Sequence, residues 1–177
     1  MKSTTVYRQN ASEIISDAFL QKVSDAEGRS CVFLCIGTSK VVSDSLGPRV
    51  GSLLKRQEGC GYVYGTEEFN VNASNVAQAV EFIRVIHPDS KIVVVDSAVG
   101  DATEVGCVQV LNQSIAPGSA TDKVMPRIGD LSLLGVVSMR GAKNFYQSGA
   151  DRVELVEKMA QVIAESVVRS KFGNLVK

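Results

Sequence analysis

The chain has no excess of charge of either sign: Lys plus Arg and Asp plus Glu are each 19 in 177 residues, and the formal net charge is zero. Such a balance offers no basic field to hold a phosphate backbone, so nucleic acid is not an expected partner. Long apolar runs are also missing. The longest, Cys31 to Ile36 and Ile92 to Val95, fall far short of the roughly 20 residues a membrane-crossing helix needs, which argues against a membrane partner. Residues Met1 to Asn10 turn polar after Lys2, where a secretory leader would need an apolar run of about 7–15 residues, and the expected location is the cytoplasm. The single histidine, His87, sits between a helix pattern and a strand pattern and reads as a surface loop residue rather than half of a serine–histidine mechanism. Cys31, Cys35, Cys60 and Cys107 show no C-x-x-C spacing and read as buried thiols. One histidine and scattered cysteines supply no tight transition-metal site, and neither a metal nor a cofactor is expected.

What remains is a chain that is 45% hydrophobic and 21% charged, enough for one core and hence a single domain over 1–177. Helical spacing of apolar residues predicts helices over 11–24, 46–57, 74–86 and 151–171. Short β-rich runs predict strands over 31–36, 61–65, 91–96, 106–111 and 131–138. Runs such as Ile92-Val93-Val94-Val95, apolar on both faces, belong to strands covered on two sides. The alternation implies an α/β fold, a three-layer α/β/α sandwich with a mostly parallel central sheet.

In open α/β sheets ligands collect beyond the carboxyl ends of the strands. Two acids fall there. Asp44 lies in Gly37-Thr38-Ser39-Lys40-Val41-Val42-Ser43-Asp44-Ser45-Leu46-Gly47-Pro48, where it can also cap the following helix. Asp96 closes the β-branched run, with Ser97 to Asp101 read as a loop. Two carboxylates close together do not both ionise easily, so one can hold a proton while the other deprotonates water. Thr38, Ser39, Glu67 and Lys123, in loops beside these acids, are the candidate substrate contacts. Gly37-Thr38-Ser39 lacks both glycine-rich phosphate-binding patterns, which sets nucleotides aside.

Three segments together resemble a known family: Cys35-Ile36-Gly37-Thr38 running to Ser43-Asp44-Ser45-Leu46-Gly47-Pro48, then Val93-Val94-Val95-Asp96, then Ala116-Pro117-Gly118 through Lys123. They are similar to the spore germination proteases and, more closely in length, to the small YyaC-type sporulation proteins, over about residues 31–140. The G-T-x(5)-D-S-L-G-P segment is the specific part. The resemblance implies a phosphorylase/hydrolase-like fold, a protein or peptide substrate, and an aspartic pair at Asp44 and Asp96. Hydrogenase-maturation proteases share this fold but use acid and histidine residues around nickel, and no histidine here matches theirs. The chain departs from the YyaC-type pattern at Ser39, Lys40 and Ser43, and at Ser119-Ala120-Thr121. Two functions are expected to compete: an aspartic-type peptidase of sporulation or germination, and a non-catalytic binding or assembly protein on the same scaffold. The oligomeric state is left open.

Overall fold

The computed structural model describes residues 2–24, 30–58, 60–116, 127–142 and 149–172. The elements run β1 (Lys2–Thr5), α1 (Ala11–Ser24), β2 (Cys31–Cys35), α2 (Leu46–Lys55), β3 (Tyr62–Tyr64), α3 (Val76–Ile86), β4 (Lys91–Gly100), β5 (Cys107–Leu111), β6 (Leu131–Met139) and α4 (Ala150–Phe172). The strands form one 6-stranded sheet in the order β1-β5-β6-β4-β2-β3. β3, β2, β4 and β6 are mutually parallel, β5 runs against β6, and β1 runs against β5. The architecture is therefore the expected mostly parallel sheet between helical layers.

The two apolar faces of β2 and β4 decide the layering. Phe33, Val93 and Val95 point to one side and pack with Ile15 and Phe19 of α1, Val50 and Leu54 of α2, and Val156, Met159 and Ile163 of α4. Val32, Leu34, Ile92 and Val94 alternate to the other side and meet Val76 and Ile83 of α3, with Ile115 and Ile128, which bridge to each other. Burying apolar side chains on both faces is what makes these strands unbroken β-branched runs in the sequence.

Two features differ from the sequence expectation. β1 is an edge strand built from polar residues with only Thr4 buried, so it carries no apolar alternation to detect. On α3, Ile86 fits the helical stripe of Val76 and Ile83, yet Phe82, Val85 and Ile86 are all exposed. Among the described elements α3 has no helical neighbour on its side of the sheet, and one narrow stripe suffices to seat it. All the cysteines are free thiols; Cys35 and Cys60 are buried and Cys31 and Cys107 half-buried.

Candidate active site

The site begins where two neighbouring strands stop sharing a ladder. β2 and β4 pair from Cys31↔Lys91 to Cys35↔Val95, and Ile36 N still donates to Val95 O at 2.8 Å. The chain then swings off β4, and Gly37 N donates instead to Val71 O at 2.8 Å. β4 does not stop with it. The expected end at Asp96, with Ser97 to Asp101 as a loop, is corrected here: β6 continues to pair through Asp96↔Leu134, Ser97↔Gly135 and Ala98↔Val136, and after a one-residue register shift that skips Val137 of β6, through Val99↔Ser138 and Gly100↔Met139. Asp96 thus sits within a strand, at the point where one of its two neighbours departs. Alternation along the strand puts it on the same face as Ile92 and Val94.

The segment between β2 and α2 folds back on its own start. Gly37 has φ +138°, a region L side chains rarely adopt, and a Cβ there would stand 1.9 Å from Asp44 O. A short 3-10 turn, Val42–Asp44, leads into α2. Gly47 in the first turn of α2 lies so close to the end of β2 that a Cβ would stand 2.1 Å from Ile36 O. Thr38 N–H closes the loop by donating to Asp44 O at 3.0 Å and to Asp44 Oδ2 at 2.9 Å. Asp44 does not cap the helix: Ser45 takes the N-cap position, and no side chain makes a capping bond there. From the other side, Arg152 Nη1 of α4 donates to the buried Ser43 Oγ at 3.2 Å.

The electrostatics follow from burial. Asp96 is 6% exposed, and its Oδ1 accepts from Ser97 N at 2.8 Å. Desolvation pushes its carboxyl well above the ordinary value, the nearby Asp44 charge pushes it further, and the Ser97 N–H opposes both. Asp44 is half-buried, and desolvation raises it too, against the pull of the Thr38 N–H. The structure thus brings the two sequence-predicted acids into electrostatic contact.

Thr38 and Ser39 lie at the rim of this loop, tied to a residue the sequence reading missed. Asn70 Oδ1 accepts from Thr38 Oγ1 at 3.3 Å, Ser39 N at 3.1 Å and Ser39 Oγ at 3.1 Å. Its amide nitrogen donates to Thr66 O at 2.7 Å and Glu67 O at 3.3 Å. Asn70 therefore fastens the acid loop to the turn after β3. Its only trace in the sequence is a loop rich in Asn, Ser and Glu, which marks a turn without marking one residue. Glu67 joins the network through its backbone, accepting from Ser39 Oγ at 3.2 Å and donating its N–H to Ser52 Oγ at 3.0 Å. Its side chain lines a groove of about 210 Å³ with Arg49, Arg56 and Glu157, between α2 and α4. Lys123 lies outside the described residues. His87 precedes β4 and so occupies the opposite end of that strand from Asp96. It is half-buried rather than a surface residue, its Nε2 2.9 Å from Tyr64 Oη and its ring 4.0 Å from that of Tyr62.

Among the described residues no three His, Cys, Asp or Glu side chains converge to hold a metal, so the acid pair does not fit an acid-and-histidine metal set. Nor, among them, is any helix long and apolar enough to cross a membrane. A second groove, of about 420 Å³, runs over Ser12, Leu53, Gln57, Ala164 and Val168, away from both acids. Its lining offers one carboxyl group, Glu165, and no acid pair, and volume alone does not make chemistry.

Comparison with known proteins agrees with the fold. The profile of a family described as "Protein of unknown function (DUF1256)" matches residues 3–166. The "Uncharacterized protein YyaC" of Bacillus subtilis (strain 168) is 32% identical over 158 residues, covering 89% of this chain and 77% of that protein. The crystal structure of a [NiFe] hydrogenase maturation protease, HycI, from Thermococcus kodakarensis KOD1 superposes with a TM-score of 0.50 at 18% identity, over 88% of this chain and 99% of that one. The last likeness is one of fold.

Proposed function

We propose, for a chain that belongs to the family described as "Protein of unknown function (DUF1256)", that it is an aspartic-type peptidase whose acid pair is Asp44 and Asp96. The observation that carries this reading is the raised proton affinity of a buried Asp96 beside Asp44, at the carboxyl edge of a parallel sheet with a protease-like fold. Asp96, the more deeply buried, is the member that keeps its proton. Asp44, whose Oδ2 receives the Thr38 N–H, is the one that ionises. In hydrolysis Asp44 takes a proton from water as the water oxygen bonds to the scissile carbonyl carbon. Asp96 gives its proton to the amide nitrogen as the carbon–nitrogen bond breaks. Thr38 and Ser39, held by Asn70, border the substrate path, and Glu67 joins that border through its backbone carbonyl, which accepts from Ser39 Oγ.

The finer reading, that the substrates are spore or sporulation proteins and that the enzyme works in the cytoplasm of a sporulating cell or spore, rests on the resemblance of the G-T-x(5)-D-S-L-G-P segment to germination proteases. A competing reading is a non-catalytic binding protein. It is favoured by the fact that each acid also holds a nearby backbone N–H, as structural carboxylates do. The two part on one experiment: incubation of wild type, Asp44→Asn and Asp96→Asn with small acid-soluble spore proteins, followed by mass spectrometry. Cleavage by wild type alone supports the pair. Cleavage surviving both substitutions rejects it, and no cleavage by wild type favours the binding protein.

A further inference from the structure

In a sheet, the backbone N–H and C=O of successive residues turn alternately to the two neighbouring strands. In β4 the odd-numbered residues face β2: Lys91 N donates to Ser30 O at 2.9 Å, and Val95 O accepts from Ile36 N at 2.8 Å. The even-numbered ones face β6: Ile92 O accepts from Asp130 N at 2.8 Å, and Gly100 O from Arg140 N at 2.8 Å. β2 ends at Cys35 while β4 runs on to Gly100, so Ser97 and Val99 turn their backbone groups into the space β2 has left. Among the described residues no other backbone group bonds to them on that side. The Ser97 N–H is held instead by Asp96 Oδ1 at 2.8 Å. Ser97, Ala98 and Val99 are half-buried where Ile92 to Asp96 are buried, and along this stretch β6 is the one strand that pairs with β4 among the described residues.

We propose that the free edge of β4 from Ser97 to Val99 binds an extended peptide segment, which adds to the sheet where β2 has left off and lies beside Asp96. The ligand class is set by the groups on offer. An unpaired carbonyl and an unpaired N–H at strand spacing are complemented by another backbone in extended form, and recognition through them tolerates many side-chain sequences. Asp96 caps the first N–H at this edge, which places a carboxyl group at the start of any added strand. The assignment rests on the peptidase reading for its choice of a peptide over other extended chains.

The test uses ¹⁵N-labelled Asp44→Asn protein, which blocks turnover and leaves Asp96 and its bond to Ser97 in place. The probe is a mixed-sequence library of blocked octapeptides. Amide spectra are expected to show Ser97 and Val99 shifting on titration, with exchange at Val99 slowed by about tenfold or more and Gly100, already paired with β6, little changed. The same library N-methylated at alternate residues is expected to act about tenfold more weakly, since its backbone donors are gone. Val99→Pro deletes an outward N–H and spares the β6 side, and it should weaken binding as much, with Gly100 protection reporting that the sheet is intact. If that variant does not fold, the N-methylated library decides. Undisturbed Ser97 and Val99 amides, equal action of the two libraries, or protection of Val99 that grows with protein concentration and needs no peptide, would each overturn the proposal; the last would mean a second copy pairs there. Binding at this edge without cleavage by wild type sinks the peptidase reading and leaves the edge standing. Cleavage without any change at Ser97 and Val99 does the reverse.

Discussion

Replacing Asp96 by Asn should make the protein more stable, increasingly so as pH rises. A carboxyl whose folded-state affinity for protons is raised above the unfolded value of 3.8 binds a proton in the fold that the unfolded chain has already released. Stability is therefore greatest below that value and falls as pH rises toward the folded titration point. For one proton the slope is about 1.4 kcal/mol per pH unit across that window. Asn keeps an oxygen to accept the Ser97 N–H but carries no charge, so weakening of that bond costs about 1 kcal/mol at every pH, and the slope vanishes. Near pH 4 the variant should match or slightly trail wild type. Each pH unit above that should add about 1.4 kcal/mol to its relative stability, or roughly 3–6 °C in Tm for a chain of this size, until Asp96 ionises in the fold. Denaturant titrations of both proteins from pH 4 to 8 read this directly. Parallel curves would refute the reasoning, since they would mean that Asp96 titrates alike in folded and unfolded chains. A variant less stable than wild type at pH 8 would mark Asp96 as a structural carboxylate.

Other outcomes follow from the same geometry. Asp44→Asn removes the charge that helps keep Asp96 protonated, so ¹³C NMR of the Asp96 carboxyl should show its titration moving to lower pH; an unmoved curve would mean that the two acids do not interact. Gly37→Ala forces a Cβ against Asp44 O at φ +138° and should cost about 2–4 kcal/mol, seen as a Tm drop of roughly 5–15 °C and loss of any peptidase activity. The Arg49–Glu157 ion pair, 3.0 Å long with side chains 28% and 52% exposed, should show a coupling of less than about 1 kcal/mol in a double-mutant cycle, and less still at high salt.

How much of this could be read in advance depended on whether a feature leaves a periodic trace. Burial on both faces writes itself into a strand as an unbroken β-branched run, and β2 and β4 were legible for that reason. β1 pairs at an edge through polar residues and buries only Thr4, so nothing in its side chains distinguishes it from a loop. The end of β4 was misplaced because Ser97, Ala98 and Val99, half-exposed on the side β2 has left, lose the apolar pattern while β6 still pairs with them. Pairing partners are a property of the fold, and the local sequence does not record them.

The motif around Asp44 shows the same limit from the other direction. Its glycines were visible as letters that resemble a family, but what they do is clear space for other backbone atoms. Gly37 lets the chain cross Asp44 O, and Gly47 lets α2 press on Ile36 O. With both in place, the loop closes tightly enough for the Thr38 N–H to reach both oxygens of Asp44 that face it, and Asn70 then ties Thr38 and Ser39 to the turn after β3. The same closure carries β2 away from β4, leaving Asp96 at the departure point and Ser97 and Val99 with no strand on that side among the described residues. Positioning of one acid and exposure of the edge beside the other are thus a single event in the backbone, and a substitution that reopens the loop at Gly37 should disturb both together.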